Sequence, residues 1–213
     1  MSKRIVISIA LLTVVCNPVH SQDSRVNTNI GGGVSVPLNP TGKYAGAGGT
    51  FAVGAGYNFD KYNSLVGEFM WSALPPTLSA LLPSEGFHRS SNLYTATGNY
   101  MLRLDGHRFG AYLIGGGGLY YRHFNLQRQI LQPGIVCTNY WIWWGYTCAA
   151  GYVSTDQTLI SSGSSAFGGN AGIGFTIKIA DSGEKVYVES RYHYAPNKDI
   201  STQLVLVTFG FRF

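Results

Sequence analysis

Apolar side chains recur at every second position of this chain, most clearly in its last segment. There Phe213, Phe211, Phe209, Val207 and Val205 share one phase, while Arg212, Gly210 and Thr208 take the other, with Leu206 and Leu204 beyond them. A period of two belongs to a β-strand, whose successive side chains point to opposite faces. Such a strand in water would expose a sticky face. In a closed barrel within a bilayer that face meets lipid, and no edge is left over.

Seven earlier blocks repeat the pattern. Segment 25–36 sets Val26, Thr28, Ile30, Gly32, Val34 and Val36 against Asn27, Asn29, Gly31, Gly33 and Ser35. Segment 49–59 aligns Phe51, Val53, Ala55, Tyr57 and Phe59; segment 63–71 aligns Leu65, Gly67, Phe69 and Trp71, with Glu68 pointing the opposite way. Segment 92–102 sets Tyr94, Ala96, Gly98, Tyr100 and Leu102 against Thr95, Thr97 and Asn99. Segment 108–121 is a strand whose faces Gly115 to Gly118 obscure. In 165–179 Phe167, Gly169, Ala171, Ile173, Phe175, Ile177 and Ile179 turn outward and Asn170, Thr176 and Lys178 inward; in 185–194 Val186, Val188, Tyr192 and Tyr194 turn outward. The blocks approach the ~10 residues that a tilted strand needs to cross a bilayer.

Their connections alternate in length. Residues 60–62, 103–107 and 180–184 are tight turns, and 37–48, 72–91, 122–164 and 195–202 are loops. The predicted fold is all-β, an eight-stranded antiparallel transmembrane barrel with short periplasmic turns, longer extracellular loops and both termini on the periplasmic side. Eight strands enclose a lumen only wide enough for side chains, which excludes a general diffusion porin.

Ahead of this domain, Lys3 and Arg4 precede an apolar run at 5–15, and Val19-His20-Ser21 suits a cut before Gln22. Residues 1–21 therefore read as a cleaved signal peptide and 22–213 as one barrel domain. The run has about half the ~20 residues of a membrane helix. Val15 before Cys16 does not fit a lipid-attachment site. Loss of Lys3 and Arg4 lowers the formal charge from +5 to +3. The remaining cations are scattered, so nucleic acid is excluded as a partner despite the pI of 9.1. The 28 glycines, 14 tyrosines and 11 phenylalanines with only 12% charged residues fit an apolar outer band around a narrow interior.

On these residues the chain resembles the small outer-membrane β-barrel family, the OmpA-like and OmpX-like eight-stranded type. The resemblance implies that Phe209, Phe211 and Phe213 form the signal read by the barrel-assembly machinery, and that outer-membrane lipid surrounds the domain in a Gram-negative-type envelope. Nothing in the sequence after Phe213 corresponds to the peptidoglycan tether of longer OmpA-like relatives.

Strand phase directs five charges into the lumen: Glu68, Lys178, Glu189, Arg191 and Arg212. Buried charges must pair or meet trapped water, so an ion-pair network is expected, with an ion path as the sharper reading. The segment from Arg191 to Asn197 is similar to a strand of the outer-membrane lipid A deacylase barrels, in which a serine nucleophile follows a histidine by two residues. Ala195 stands there, and no Glu follows Glu189 in that segment, so His193 lacks both partners of a nucleophilic mechanism and reads as a polar plug near the outer rim. No metal-ligand spacing and no cofactor motif is present, and the glycines of 168–174 read as wall packing in a strand without a following helix.

One segment stands out from the barrel pattern. Cys137 and Cys148 bracket Tyr140, Trp141, Trp143, Trp144 and Tyr146. Outside the cytoplasm the two thiols are each other's only candidates once Cys16 is removed, so a disulfide is expected. The rings either stack within a hairpin above the membrane or form a knob that binds a cell-surface protein, a glycan or a neighbouring barrel. The resulting expectation is a barrel with a structural or surface-interaction role rather than an enzyme; the alternatives are a lipid A deacylase-like enzyme and a narrow ion channel.

Overall fold

A computed structural model describes residues 25–77, 87–141, 145–179, 184–198 and 200–213, and within these omits the side chains of residues 138–146. The signal-peptide segment, Cys16 and most of the 180–184 turn lie outside the described residues. Eight strands run in chain order: β1 Val26–Pro37, β2 Gly48–Asn58, β3 Asn63–Ala73, β4 Phe87–Asp105, β5 Phe109–Trp141, β6 Gly145–Lys178, β7 Lys185–Ala195 and β8 Thr202–Arg212. Each pairs antiparallel with the next, and β1 pairs with β8 to close the barrel. The seam aligns Asn29 with Arg212 and Val36 with Val205. Just beyond β8, Thr28 and Phe213 exchange both backbone bonds, at 3.1 and 2.9 Å. Among the described residues, the only helical element is a single 3-10 turn, Thr41–Lys43.

The closed ring makes the alternation physical. Phe167 and Phe209 stand 79% and 65% exposed on the outside, while Leu204 on the inner face of β8 is 0% exposed. The faces read from the blocks are the faces observed except at Lys178, which was read as inward and is exposed at the end of β6. The structure also assigns the strand whose phase was obscured: Tyr112, Ile114 and Tyr120 turn inward on β5, and Leu113, Leu119 and Tyr121 outward. The phase passes unbroken through Gly115 to Gly118, where the absence of side chains had hidden it.

The larger difference lies above the barrel. Residues 122–164 are not a loop; β5 and β6 continue through them as a hairpin, aligned from Arg122 opposite Ser164 up to Cys137 opposite Cys148. A register shift between Leu126 and Gln127 leaves Leu159 as the extra residue of a bulge. β4 likewise starts at Phe87, inside the expected 72–91 loop, and its first residue lies opposite Arg128. Beyond Leu126, which is buried in the barrel mouth, both faces of the hairpin meet solvent, so neither lipid nor a core imposes the apolar alternation that marks the lower strands.

Lumen width explains particular glycines. A Cβ at Gly174 would fall on the ring of Tyr112, and one at Gly31 on the hydroxyl of Tyr187, both closer than any real contact. Tyr112 and Tyr187 are almost fully buried and fill that section, so the facing wall must be bare. On the outer face of β4, by contrast, a Cβ at Gly98 meets nothing within 4 Å. Gly174→Val is therefore expected to lower stability by about 1–3 kcal/mol through overpacking, with Gly98→Val close to neutral. Urea unfolding of the lipid-reconstituted barrel reads the difference; equal midpoints for the two variants would contradict a lumen filled by these tyrosines.

Candidate functional sites in the lumen and the outer hairpin

Three neighbouring inward positions of β7 and β3 form the centre of the lumen. Arg191 donates from Nη1 to Glu68 Oε1 at 2.6 Å and from Nη2 to Glu68 Oε2 at 3.4 Å, and its Nη2 also reaches Glu189 Oε1. Tyr112 donates its hydroxyl to Glu189 Oε2 at 2.8 Å, and Asn29 donates its amide to Glu68 Oε2 at 3.2 Å. One guanidinium thus holds two carboxylates, and neutral donors satisfy their remaining oxygens. Arg212 completes a neutral set of four charges but sits elsewhere, its guanidinium 4.6 Å from the Tyr112 ring centroid and 5.1 Å from that of Tyr187. Its Nη1 is 3.2 Å from Met101 Sδ.

Lys178 has the inward phase without the position. It is exposed at the end of β6 by the short turns, where its backbone N–H bonds to Arg108 O at 3.0 Å and the strand leaves the wall. The ion pair at that end is Lys185 with Asp105, at 2.9 Å. Tyr112, Tyr187 and Asn29 belong to the network although charge alone did not single them out. Tyr187 could have been found between the outward Val186 and Val188; Tyr112 lay in the strand without an assigned phase.

Above the charges, Asn170 donates to Asn99 Oδ1 at 2.8 Å, and Tyr120 shares a 2.9 Å hydrogen bond with His193 Nδ1. His193 is a buried polar plug two residues before the outer end of β7, and Ala195 above it is equally buried. Next comes an apolar layer of Leu204, Leu206, Met70, Leu93, Ala52 and Leu74. Among the described residues no group of three or more His, Cys, Asp or Glu side chains gathers to hold a metal.

Reversing Glu68 places two cations side by side in this interior. Glu68→Lys is expected to cost about 3–5 kcal/mol, as when one partner is removed from a buried pair. Lys43→Glu, at an exposed position, should stay within ~0.5 kcal/mol of the parent. Equal urea midpoints for the two would refute the network as a structural element.

The hairpin is the second site. Cys137 and Cys148 are bonded, with 4.0 Å between their Cα atoms, across directly opposed positions of β5 and β6. Below the clip, Val136 and Val153 lie over Gly151 and Gly134, where a Cβ would meet their methyls at 2.9 and 2.7 Å. On the opposite face Leu131, Ile135 and Tyr152 are 72%, 72% and 71% exposed. The side chains of Tyr140, Trp141, Trp143, Trp144 and Tyr146 lie outside the described residues. At the other end of the molecule Phe209, Phe211 and Phe213 all face outward, and the last two stack with ring centroids 6.5 Å apart.

No protein-family model matches the sequence, and no curated protein does. Solved structures do match. Neisserial surface protein A aligns over 89% of this chain and 96% of its own, at 11% identity and a TM-score of 0.55. The attachment invasion locus protein Ail of Yersinia pestis aligns over 88% and 97%, at 14% identity and a TM-score of 0.49. The N-terminal β-barrel domain of Pseudomonas aeruginosa OprF aligns over 90% and 100%, at 10% identity and a TM-score of 0.46. With eight antiparallel strands closed in chain order and an apolar exterior around a plugged polar interior, this chain has the fold of the small outer-membrane β-barrels.

Proposed function

We propose that the protein is an outer-membrane barrel that presents the β5–β6 hairpin at the cell surface to dock a protein partner. The observation that carries the proposal is the hairpin itself. β5 continues to Trp141, whereas its neighbour β4 begins opposite Arg128. At ~3.4 Å per residue the unaccompanied part extends about 40 Å. A ribbon with two open edges and the exposed Leu131, Ile135 and Tyr152 offers both backbone and apolar contacts to another chain. The Cys137–Cys148 clip holds its strands in register near the tip, which reduces the ordering cost of docking.

Cys137→Ser and Trp143→Ala are each expected to weaken capture of a surface partner at least tenfold while the barrel stays folded. The measurement is binding of intact cells to neighbour-cell or host-cell extracts, with a glycan array beside it, against a variant lacking residues 137–148. Undiminished binding by all three variants would refute docking through the hairpin, and capture of glycan alone would refute a protein partner.

Catalysis and conduction have less support. The position two residues beyond His193 is a buried alanine, and Leu204, Leu206 and Met70 fill the lumen above the charges. Membrane placement is supported by the apolar exterior and by the seam at Thr28 and Phe213. Phe213→Asp puts a charge on the lipid face beside Phe211; near a membrane rim this costs the finished barrel little, about 0–1 kcal/mol. The variant should be exported yet fail to reach the outer membrane, because the outward aromatic set is what the assembly machinery engages. Parental membrane levels with unchanged heat-dependent gel migration would contradict that role.

A further inference from the structure

The two uncovered edges of the hairpin are not equivalent. On the wall, Lys178 N–H donates to Arg108 O at 3.0 Å and Gly106 N–H to Phe109 O at 2.8 Å. Even-numbered residues of β5 therefore turn their backbone groups toward β6, and odd-numbered ones toward β4. The bulge lies in β6, at Leu159, so this alternation continues along β5 into the hairpin. There Gln129, Leu131, Pro133, Ile135 and Cys137 point their backbone groups away from β6, and their partners Asp156, Ser154, Tyr152, Ala150 and Cys148 point theirs away from β5. The 4.0 Å between the Cα atoms of Cys137 and Cys148 agrees, because opposed residues come that close where they share no backbone bond.

Pro133 obstructs one of these edges. Its missing N–H costs the ladder to β6 nothing, but its ring sits where another strand would have to pair with β5. β6 has no proline from Cys148 to Asp156, so its outward residues form an unbroken row of donors and acceptors. Among the described residues no strand lies beside that row. β7 ends at Ala195, one residue past the Gly169–Tyr194 pair. Residues 196–201, which lead on to β8, span ~20 Å when fully extended, and Asp156 stands ~40 Å further up β6. Edge strands in water are commonly protected by charge; between Gln129 and Gln157 the hairpin carries only Asp156.

We infer that the partner is a second copy of this chain in a facing membrane, joined antiparallel through the two β6 edges; the inference rests on docking through the hairpin. Copies in one membrane run β6 in the same direction, and a two-fold axis along the membrane normal sets each residue level with itself. A parallel ladder needs an outward residue level with one that turns away, so the two rows cannot bond. Facing membranes bring the strands together antiparallel, and outward residues then meet outward residues. The row is centred on Tyr152. With the two-fold axis there, Tyr152 meets its own copy, Ala150 meets Ser154 and Cys148 meets Asp156, for about ten backbone bonds. The two Asp156 carboxylates stand at opposite ends of the joined sheet, and the exposed Tyr152, Ile135 and Leu131 of both copies share one face. With Pro133 on each outer edge the assembly closes at two chains, and many such pairs between two membranes act together.

The test uses the full barrel in phosphatidylcholine vesicles, with donor and acceptor lipid dyes in separate populations. Barrel-bearing vesicles should cluster with one another and not with empty ones. Ser154→Pro puts a ring on the β6 edge as Pro133 does on that of β5, at a position that bonds nothing in the hairpin. It should lower clustering at least tenfold, with heat-dependent gel migration and the Cys137–Cys148 bond retained. A short thiol crosslinker should join Tyr152→Cys to itself between vesicles and leave Leu131→Cys unjoined. Clustering no greater than that of empty vesicles, clustering with empty vesicles, parental clustering by Ser154→Pro, or crosslinking at position 131 and not at 152 would each overturn the inference. Vesicles that stay apart while cells still capture a host-cell protein through residues 137–148 would overturn self-pairing and leave hairpin docking standing.

Discussion

Closure of the backbone hydrogen-bond ring is the condition on which everything else in this molecule rests. Hydrocarbon offers no donors or acceptors, so a spanning strand must find partners on both sides, and β1 to β8 do so only because β8 returns to β1. Eight strands then leave an interior that side chains alone can fill. The two tyrosines at Tyr112 and Tyr187 occupy so much of it that Gly174 and Gly31 must stand bare opposite them. Where carboxylates enter, they cannot remain alone in so dry a space. Arg191 therefore binds both Glu68 and Glu189, while Tyr112 and Asn29 occupy the oxygens that remain. Charge pairing is thus a consequence of ring size.

How far the sequence revealed this depends on what lay against each face. Between β1 and β8 one face meets lipid and the other meets packed side chains, so alternation was imposed and could be read, down to Glu68, Glu189 and Arg191 turning inward. In β5 the four consecutive glycines carried no sign of facing, and Tyr112 escaped notice with them. Lys178 illustrates the opposite error. Its phase is inward, yet the wall ends beside it, and phase alone cannot say where a strand leaves the barrel. The upper arms of β5 and β6 were missed as strands because solvent touches both of their faces; their pairing depends on backbone bonds, the register across Cys137 and Cys148, and a bulge at Leu159. None of these leaves an apolar rhythm.

Barrel and hairpin therefore follow different rules within continuous strands. In the wall, identity is constrained at nearly every residue, because an error faces either lipid or a filled lumen. In the ribbon above it, Gly134 and Gly151 let Val153 and Val136 close over the backbone on one side, while Leu131, Ile135 and Tyr152 project from the other. A two-sided ribbon of this kind has few internal contacts to hold it straight. A covalent clip near its tip supplies a constraint that packing cannot, and exposed apolar side chains at that distance from the membrane contribute nothing to the barrel's own stability.

The lumen divides along its length in a way that links the plug to the mouth. Toward the short turns it is polar, with Arg212 against its rings and the Glu68–Arg191–Glu189 cluster above; toward the long connections it becomes apolar through Leu204, Leu206 and Leu93. A polar plug alone would admit water threads beside its hydrogen bonds, and an apolar plug alone would leave no set of bonds to specify which side chain meets which. Stacked in series, the lower half specifies the packing and the upper half excludes water from it. The apolar half ends at the mouth, where Thr41, Ser91, Asn92 and Thr202 stand beside the leucines and the close packing opens into a cavity, because the series needs no further layer once water is excluded from the bonds below.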